Sequence, residues 1–135
     1  MEEEVAKGRV KSIGLSNFNP SQVADILKIC KIRPVCNQFE VNPMLPNNEW
    51  VDYNTKEGIA VVAYGPFGGP DRPWGKAEDP IPLKNPLIIS LADKHKKTPG
   101  QIILRWLYQR GIVSIPKSVT PSRIEQNAQV DLFLF

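Results

Sequence analysis

The sequence predicts an α/β fold with a parallel sheet, because short apolar runs alternate with helix-length segments along its 135 residues. The clearest run, residues 58–65 (GIAVVAYG), is apolar without polar alternation, which is typical of a parallel strand buried on both faces. Several helical segments begin with a capping residue followed by proline, a common start signal for helices.

These signals divide the chain into four β/α units. Strands are predicted at residues 10–16, 34–41, 58–65 and 111–116, and helices at 19–30, 48–56, 86–95, 98–110 and from 121 onwards. Thr98 and Gln101 have the spacing of a capping box, and Thr120 with Pro121 opens the last helix by the same device of a cap and a proline. Four units are too few for an eight-stranded barrel of about 250 residues, so the sheet is either open or part of something larger.

Composition excludes several classes of protein. The net charge of +3 is too small to indicate nucleic-acid or membrane binding, and no apolar run approaches the roughly 18 residues of a membrane helix. The acidic N-terminus resembles neither a secretory signal nor a transit peptide. Cys30 and Cys36 lack metal-site spacing and are predicted to be reduced, buried thiols, while His95 is predicted to be a surface residue. We therefore expect a cytoplasmic protein without a metal site.

The segment at residues 65–85 contains too many prolines and glycines for a helix or strand. Irregular connections longer than about 12–15 residues are usually lids, binding loops or disordered. A flexible linker is one interpretation. The position directly after a strand, together with two aromatic residues, favours a lid over the ligand-binding edge of the sheet.

The run at residues 114–127 (SIPKSVTPSRIEQN) places two cations and several hydroxyl groups between a strand and the start of a helix. The start of a helix offers unpaired N–H groups and a positive dipole end, both of which suit a phosphate. From the residues alone, Lys117 and Arg123 would more often be interpreted as solvated surface charges.

Four runs, residues 13–19, 36–43, 63–74 and 115–127, resemble in sequence and order the C-terminal half of the aldo-keto reductases, close to the aldose reductase branch. The similarity covers nearly the whole chain. It implies that residues 1–135 form a partial NADP-dependent oxidoreductase domain containing strands five to eight of a (β/α)8 barrel. The family binds NADPH in an extended pose and transfers a hydride to a small aldehyde or ketone.

The resemblance assigns the helix-start residues to the adenosine end of NADPH. It implies that five residues hold the 2′-phosphate: Lys117, Ser118, Val119, Thr120 and Arg123. The adenine would be contacted by Asn127 and by Gln126, which stands where the family usually has glutamate and can still accept through its carbonyl oxygen.

The ends of the other strands are assigned to the nicotinamide end. Ser16, Asn17 and Gln38 would hydrogen-bond the carboxamide, for which uncharged donors and acceptors are suited. Tyr64, which alone would be interpreted as a core residue, would stack on the nicotinamide ring.

The loop after the third strand would cover the pyrophosphate. Gly65 replaces a serine that donates to the pyrophosphate, and Phe67 replaces a leucine, so the loop is expected to hold the cofactor less tightly. Asp71 would clamp the loop, and Trp74 would form a wall of the substrate pocket.

No catalytic residue is assigned, because the aspartate, tyrosine, lysine and histidine of the family come from its first four strands. Two hypotheses follow. The chain is the cofactor half of an NADPH-dependent carbonyl reductase, either a piece or a truncated product, or it is a non-catalytic nucleotide-binding or structural module. In either case we expect it to be inactive alone and to self-associate through its open sheet edges.

Overall fold

The computed structural model describes residues 1–69, 76 and 78–130. Its sheet contains four parallel strands in chain order: β1 (Leu15–Ser16), β2 (Cys36–Glu40), β3 (Ala60–Tyr64) and β4 (Val113–Ser114). The predicted parallel pairing is confirmed.

The connecting helices are α1 (Glu2–Ala6), α2 (Pro20–Ile29), α3 (Asn48–Lys56), α4 (Pro86–His95), α5 (Pro99–Gln109) and α6 (Pro121–Ala128), with a 3₁₀ turn at Pro82–Lys84. Capping boxes open α2 at Asn19 and α5 at Thr98, where the sequence predicts helix starts. Helix α6 also begins after its predicted threonine. The side chain of Thr120 nevertheless accepts no capping hydrogen bond within the described chain, so that part of the prediction is wrong.

The two outer strands are shorter than the apolar runs that predicted them, at residues 10–16 and 111–116. Within the described residues each of these strands pairs with a single neighbour, and each pairing extends over only two residues of that neighbour. Each pairing is extended by one further backbone hydrogen bond. The N–H of Val35 donates to the Ile13 carbonyl beside β1, and the N–H of Ile115 donates to the Ala63 carbonyl beside β4.

Strand β3 is buried on one face only. Val61 and Ala63 are 2% and 0% exposed and lie in the core, whereas Val62 and Tyr64 on the opposite face are half-buried. The prediction of burial on both faces is therefore wrong, because the core helices cover one face and no described residue covers the other to the same extent. The core also holds an edge-to-face pair, Phe39 and Trp50, with ring centroids 5.3 Å apart.

The predictions for the cysteines and for His95 need correction. Cys30 and Cys36 are free thiols, as predicted, but both are half-buried rather than buried. His95 is also half-buried, because it lies in the last turn of α4, where that helix packs near α5. The described residues contain no cluster of three metal-ligating side chains and no helix with the length and apolarity to cross a bilayer.

Helix α6 is anchored to α5 by bonds to the chain that follows α6. The side-chain amide of Gln101 donates to the carbonyl of Gln129 at 3.2 Å, and the guanidinium of Arg105 donates to the carbonyl of Val130 at 3.1 Å. Both donors are buried, so these contacts are shielded from water. They fix the position of α6 relative to the sheet.

Candidate functional site

The carboxyl ends of β1, β2 and β3 bring together one group of predicted site residues. Ser16 lies opposite Gln38 in the strand register. The Ser16 hydroxyl and the N–H of Asn17 both donate to the Gln38 carbonyl, at 3.0 Å and 2.8 Å. The polar end of β1 is thereby fixed to β2.

Asn17 adopts the left-handed conformation, with a φ of 59°. Its side-chain oxygen accepts a hydrogen bond of 3.0 Å from the hydroxyl of Tyr64 at the end of β3. Asparagine tolerates this backbone conformation better than most residues, because its short polar side chain can bond locally. The four residues predicted for the nicotinamide, Ser16, Asn17, Gln38 and Tyr64, therefore lie at one edge of the sheet.

A cleft of about 390 Å³ lies between the loop after β4, α6 and the start of α5, and it holds the second group of predicted residues. It is lined by six of them: Phe67, Lys117, Ser118, Arg123, Gln126 and Asn127. Four further lining residues were not predicted from the sequence: Leu83, Thr98, Pro99 and Gly100. Residues 98–100 and Leu83 reach the cleft through the packing of α4, α5 and the 3₁₀ turn, which no local motif indicates.

Two cations face solvent at this cleft. Lys117 and Arg123 are exposed, and neither forms an ion pair with another described residue. The hydroxyl oxygen of Ser118 accepts from the N–H of Thr120 at 3.2 Å, which shapes the turn before α6. Val119, which is 80% exposed, and Thr120 do not line the cleft, so the structure does not bring these two predicted residues to it.

The glycines that follow β3 fit the local backbone. Gly65 has a φ of 57°, which favours glycine over the serine that the resemblance implies at this position in the family. A Cβ atom at this position would lie 3.5 Å from Cγ of Glu40. Asp71 and Trp74, predicted as the loop clamp and the pocket wall, lie outside the described residues.

Glu40 is a site-edge residue to which the sequence analysis assigned no role. It lies opposite Tyr64 in the register of β2 and β3, on the same face of β2 as Gln38. Its carboxylate accepts a bond of 3.2 Å from the side-chain amide of the buried Asn42. The two-residue periodicity of a strand was the available signal, since it places residues 38 and 40 on one face.

Asn37 was also missed. This fully buried residue lies on the opposite face of β2 and donates from Nδ2 to the carbonyl of Phe18 at 2.8 Å. The bond connects β2 to the residue that follows Asn17.

Comparison with known proteins gives a consistent result. The family model described as "Aldo/keto reductase family" matches residues 1–135. The chain is 48% identical over 135 residues to "Aldo-keto reductase family 1 member A1" of Cricetulus griseus, covering all of this chain and 42% of the relative. It is 50% identical over 130 residues to the Gallus gallus protein of the same name, covering 96% of this chain and 40% of the relative.

A solved structure of an aldo-keto reductase also has a matching fold. The crystal structure of an aldo-keto reductase of the silkworm, Bombyx mori, matches with a TM-score of 0.88 and 44% identity, over 99% of this chain and 41% of the silkworm chain. The chain thus spans about two fifths of the length of these relatives. The match confirms the predicted fold class, four parallel strands and outer helices of the C-terminal half of a (β/α)8 barrel. The chain belongs to the aldo/keto reductase family.

Proposed function

We propose that this chain supplies the cofactor-binding half of an NADPH-dependent reductase that converts small aldehydes or ketones to alcohols in the cytoplasm. The observation that carries the proposal is the cleft of about 390 Å³, which brings Lys117 and Arg123 together with the polar side chains of Ser118, Gln126 and Asn127. Family membership supports the reaction class.

The charges at the cleft favour NADPH over NADH. The 2′-phosphate carries close to two negative charges, and Lys117 and Arg123 are two exposed cations without a carboxylate partner among the described residues. Ser118 adds a hydroxyl group, and Arg123 belongs to the first turn of α6, near the positive end of its helix dipole. Amide side chains of Gln126 and Asn127, on the same wall, suit the polar edge of an adenine.

At the other end of the site, the strand-end cluster suits the nicotinamide. The side chains of Asn17 and Gln38 can donate to and accept from the carboxamide without adding charge. The ring of Tyr64, held by its bond to Asn17, provides an aromatic surface for offset stacking. NADPH would supply the hydride, while these side chains would fix which face of its ring meets the substrate. We assign Asp71 to the loop clamp and Trp74 to the substrate pocket on the resemblance alone.

The proton for the alcohol oxygen must come from another group, because none of the three tyrosines is placed to donate it. Tyr64 donates its hydroxyl proton to Asn17. Tyr53 lies within α3 and Tyr108 within α5, on the helical layer rather than at the strand ends. The role of this chain is therefore to bind and orient the cofactor. We propose that the acid that protonates the alcohol oxygen lies in the remainder of the family's barrel.

Titration calorimetry with NADPH and NADH tests the proposal. We expect NADPH to bind about tenfold more tightly, since a hydrogen bond to a charged group is worth about 1.5–3 kcal/mol. Lys117→Ala combined with Arg123→Ala should remove the difference. As a control, Lys31→Ala with Lys56→Ala removes two exposed cations elsewhere and should preserve it. Equal affinities of the unmutated chain for the two cofactors would refute the proposal.

A further inference from the structure

Asn37 is a polar side chain buried on the helix-facing side of the sheet, one residue before Gln38. It is 0% exposed, and its side-chain amide donates to the carbonyl of Phe18 at 2.8 Å. A buried amide is costly without partners, so this bond stabilises one specific position of the turn after β1.

The turn held by Asn37 contains Asn17, the non-glycine site residue with left-handed backbone. Asn17 has a φ of 59°, a conformation uncommon for residues other than glycine, and surrounding contacts help to hold it there. Its N–H donates to the Gln38 carbonyl, and its side chain accepts from the Tyr64 hydroxyl. The carbonyl of the next residue, Phe18, is held by Asn37, so this bond restrains the turn from the far side.

We propose that Asn37 is a positioning residue for the nicotinamide end of the cofactor, an inference that rests on the proposed function. Asn37 lies on the face of β2 opposite Gln38, so it acts through the Phe18 carbonyl on the orientation of the Asn17 amide. Without the bond, the turn relaxes toward negative φ, and the amide of Asn17 leaves the Tyr64 hydroxyl and the carboxamide position.

This role predicts an effect on one end of the cofactor only. The cleft for the adenosine end is built from the loop after β4, α6 and the start of α5, and Asn37 does not line it. Losing Asn37 should therefore weaken binding of NADPH and leave binding of adenosine 2′,5′-bisphosphate, which lacks the nicotinamide, unchanged.

Asn54 offers a matched control. It is also 0% exposed and also donates from Nδ2 to a main-chain carbonyl at 2.8 Å, that of Trp50 within α3. In both asparagines, Oδ1 has no hydrogen-bond partner within the described part of the chain. The variants Asn37→Leu and Asn54→Leu thus remove equivalent buried bonds while approximately keeping side-chain volume.

The experiment is calorimetry of both variants and the unmutated chain with NADPH and with adenosine 2′,5′-bisphosphate. We expect Asn37→Leu to weaken NADPH binding about tenfold, with the bisphosphate affinity changed less than about twofold. Asn54→Leu should leave the ratio of the two affinities at its original value. If a leucine variant does not fold, Asn37→Ala and Asn54→Ala give the same comparison.

The outcomes separate this inference from the proposed function. An unchanged affinity ratio in the Asn37 variant, or the same change in the Asn54 variant, would overturn the positioning role while leaving the cofactor site intact. An unmutated chain that binds neither ligand would overturn the proposed function and this role with it.

Discussion

The hydroxyl of Tyr64 donates a hydrogen bond of 3.0 Å to the side-chain oxygen of Asn17, across a sequence separation of 47 residues. The bond joins the ends of β1 and β3 across β2, which lies between them. It fixes both the aromatic ring and the amide of the proposed nicotinamide site. Tyr64 is therefore a site-edge residue with a polar partner and not simply a core aromatic.

Removing this hydroxyl tests its contribution. Tyr64→Phe keeps the ring for stacking and loses the bond, so we expect a loss of about 1 kcal/mol in NADPH binding, or roughly fivefold in Kd. Tyr108→Phe, which removes an exposed hydroxyl on α5, serves as the control and should change nothing measurable. Equal Kd values for Tyr64→Phe and the unmutated chain would contradict the prediction.

Gly68 should be intolerant of any side chain. Its φ is 56°, and a Cβ atom there would lie 2.8 Å from Cδ of Pro82. Left-handed strain and overpacking together are expected to lower the free energy of unfolding of Gly68→Ala by about 2–3 kcal/mol. Urea denaturation measures this.

Gly100→Ala is the appropriate comparison for Gly68→Ala. Its Cβ atom would lie 3.6 Å from the ring of Phe67, an ordinary contact, and the residue is in the first turn of α5. Because alanine is the better helix former, we expect Gly100→Ala to be neutral or stabilising by up to about 1 kcal/mol. A loss of stability equal to that of Gly68→Ala would show that the close contact is not the cause.

The outer strands are predicted to drive self-association. Strands β1 and β4 end the four-stranded sheet of the described chain, and Val113 and Ile115 are 53% and 47% exposed. Unpaired edge groups next to apolar side chains favour pairing with another chain. We expect sedimentation velocity to show concentration-dependent dimers or larger species.

A charge at this edge should oppose the association. Val113→Lys is expected to shift the distribution toward monomer, whereas Ile124→Lys, a similarly exposed position on α6, should not. A concentration-independent monomer of the unmutated chain, with cooperative unfolding, would show that the edge strands β1 and β4 do not drive self-association.

The 135-residue chain alone is predicted to have no reductase activity. Reduction of a carbonyl needs an acid for the oxygen, and general acid catalysis is typically worth about 10²–10⁴-fold. With 4-nitrobenzaldehyde and NADPH at high protein concentration, we expect no absorbance change beyond the blank. Turnover that survives purification and disappears in Tyr53→Phe or Tyr108→Phe would contradict this expectation.

Local signals in the sequence were sufficient for the four strands and for helices α2 to α6 in their order. Asparagine or threonine followed by proline marks the starts of α2, α5 and α6, because capping and a fixed proline φ act within one turn. Apolar runs gave the strands, and their spacing gave the parallel pairing. The residues of both parts of the candidate site were assigned by resemblance to the family, whose motifs are contiguous in the sequence.

The contacts that shape the site depend on residues far apart in the chain. Strand register and helix packing determine three of these features. They are the hydrogen bond from Tyr64 to Asn17, the hydrogen bond from Asn37 to the Phe18 carbonyl, and the position of Gly100 at the cleft. Exposure of the second face of β3 has the same origin, since burial depends on which elements pack on each side. These properties arise from the three-dimensional assembly of the elements, because hydrogen bonding and packing depend on distances in space that local sequence patterns do not encode.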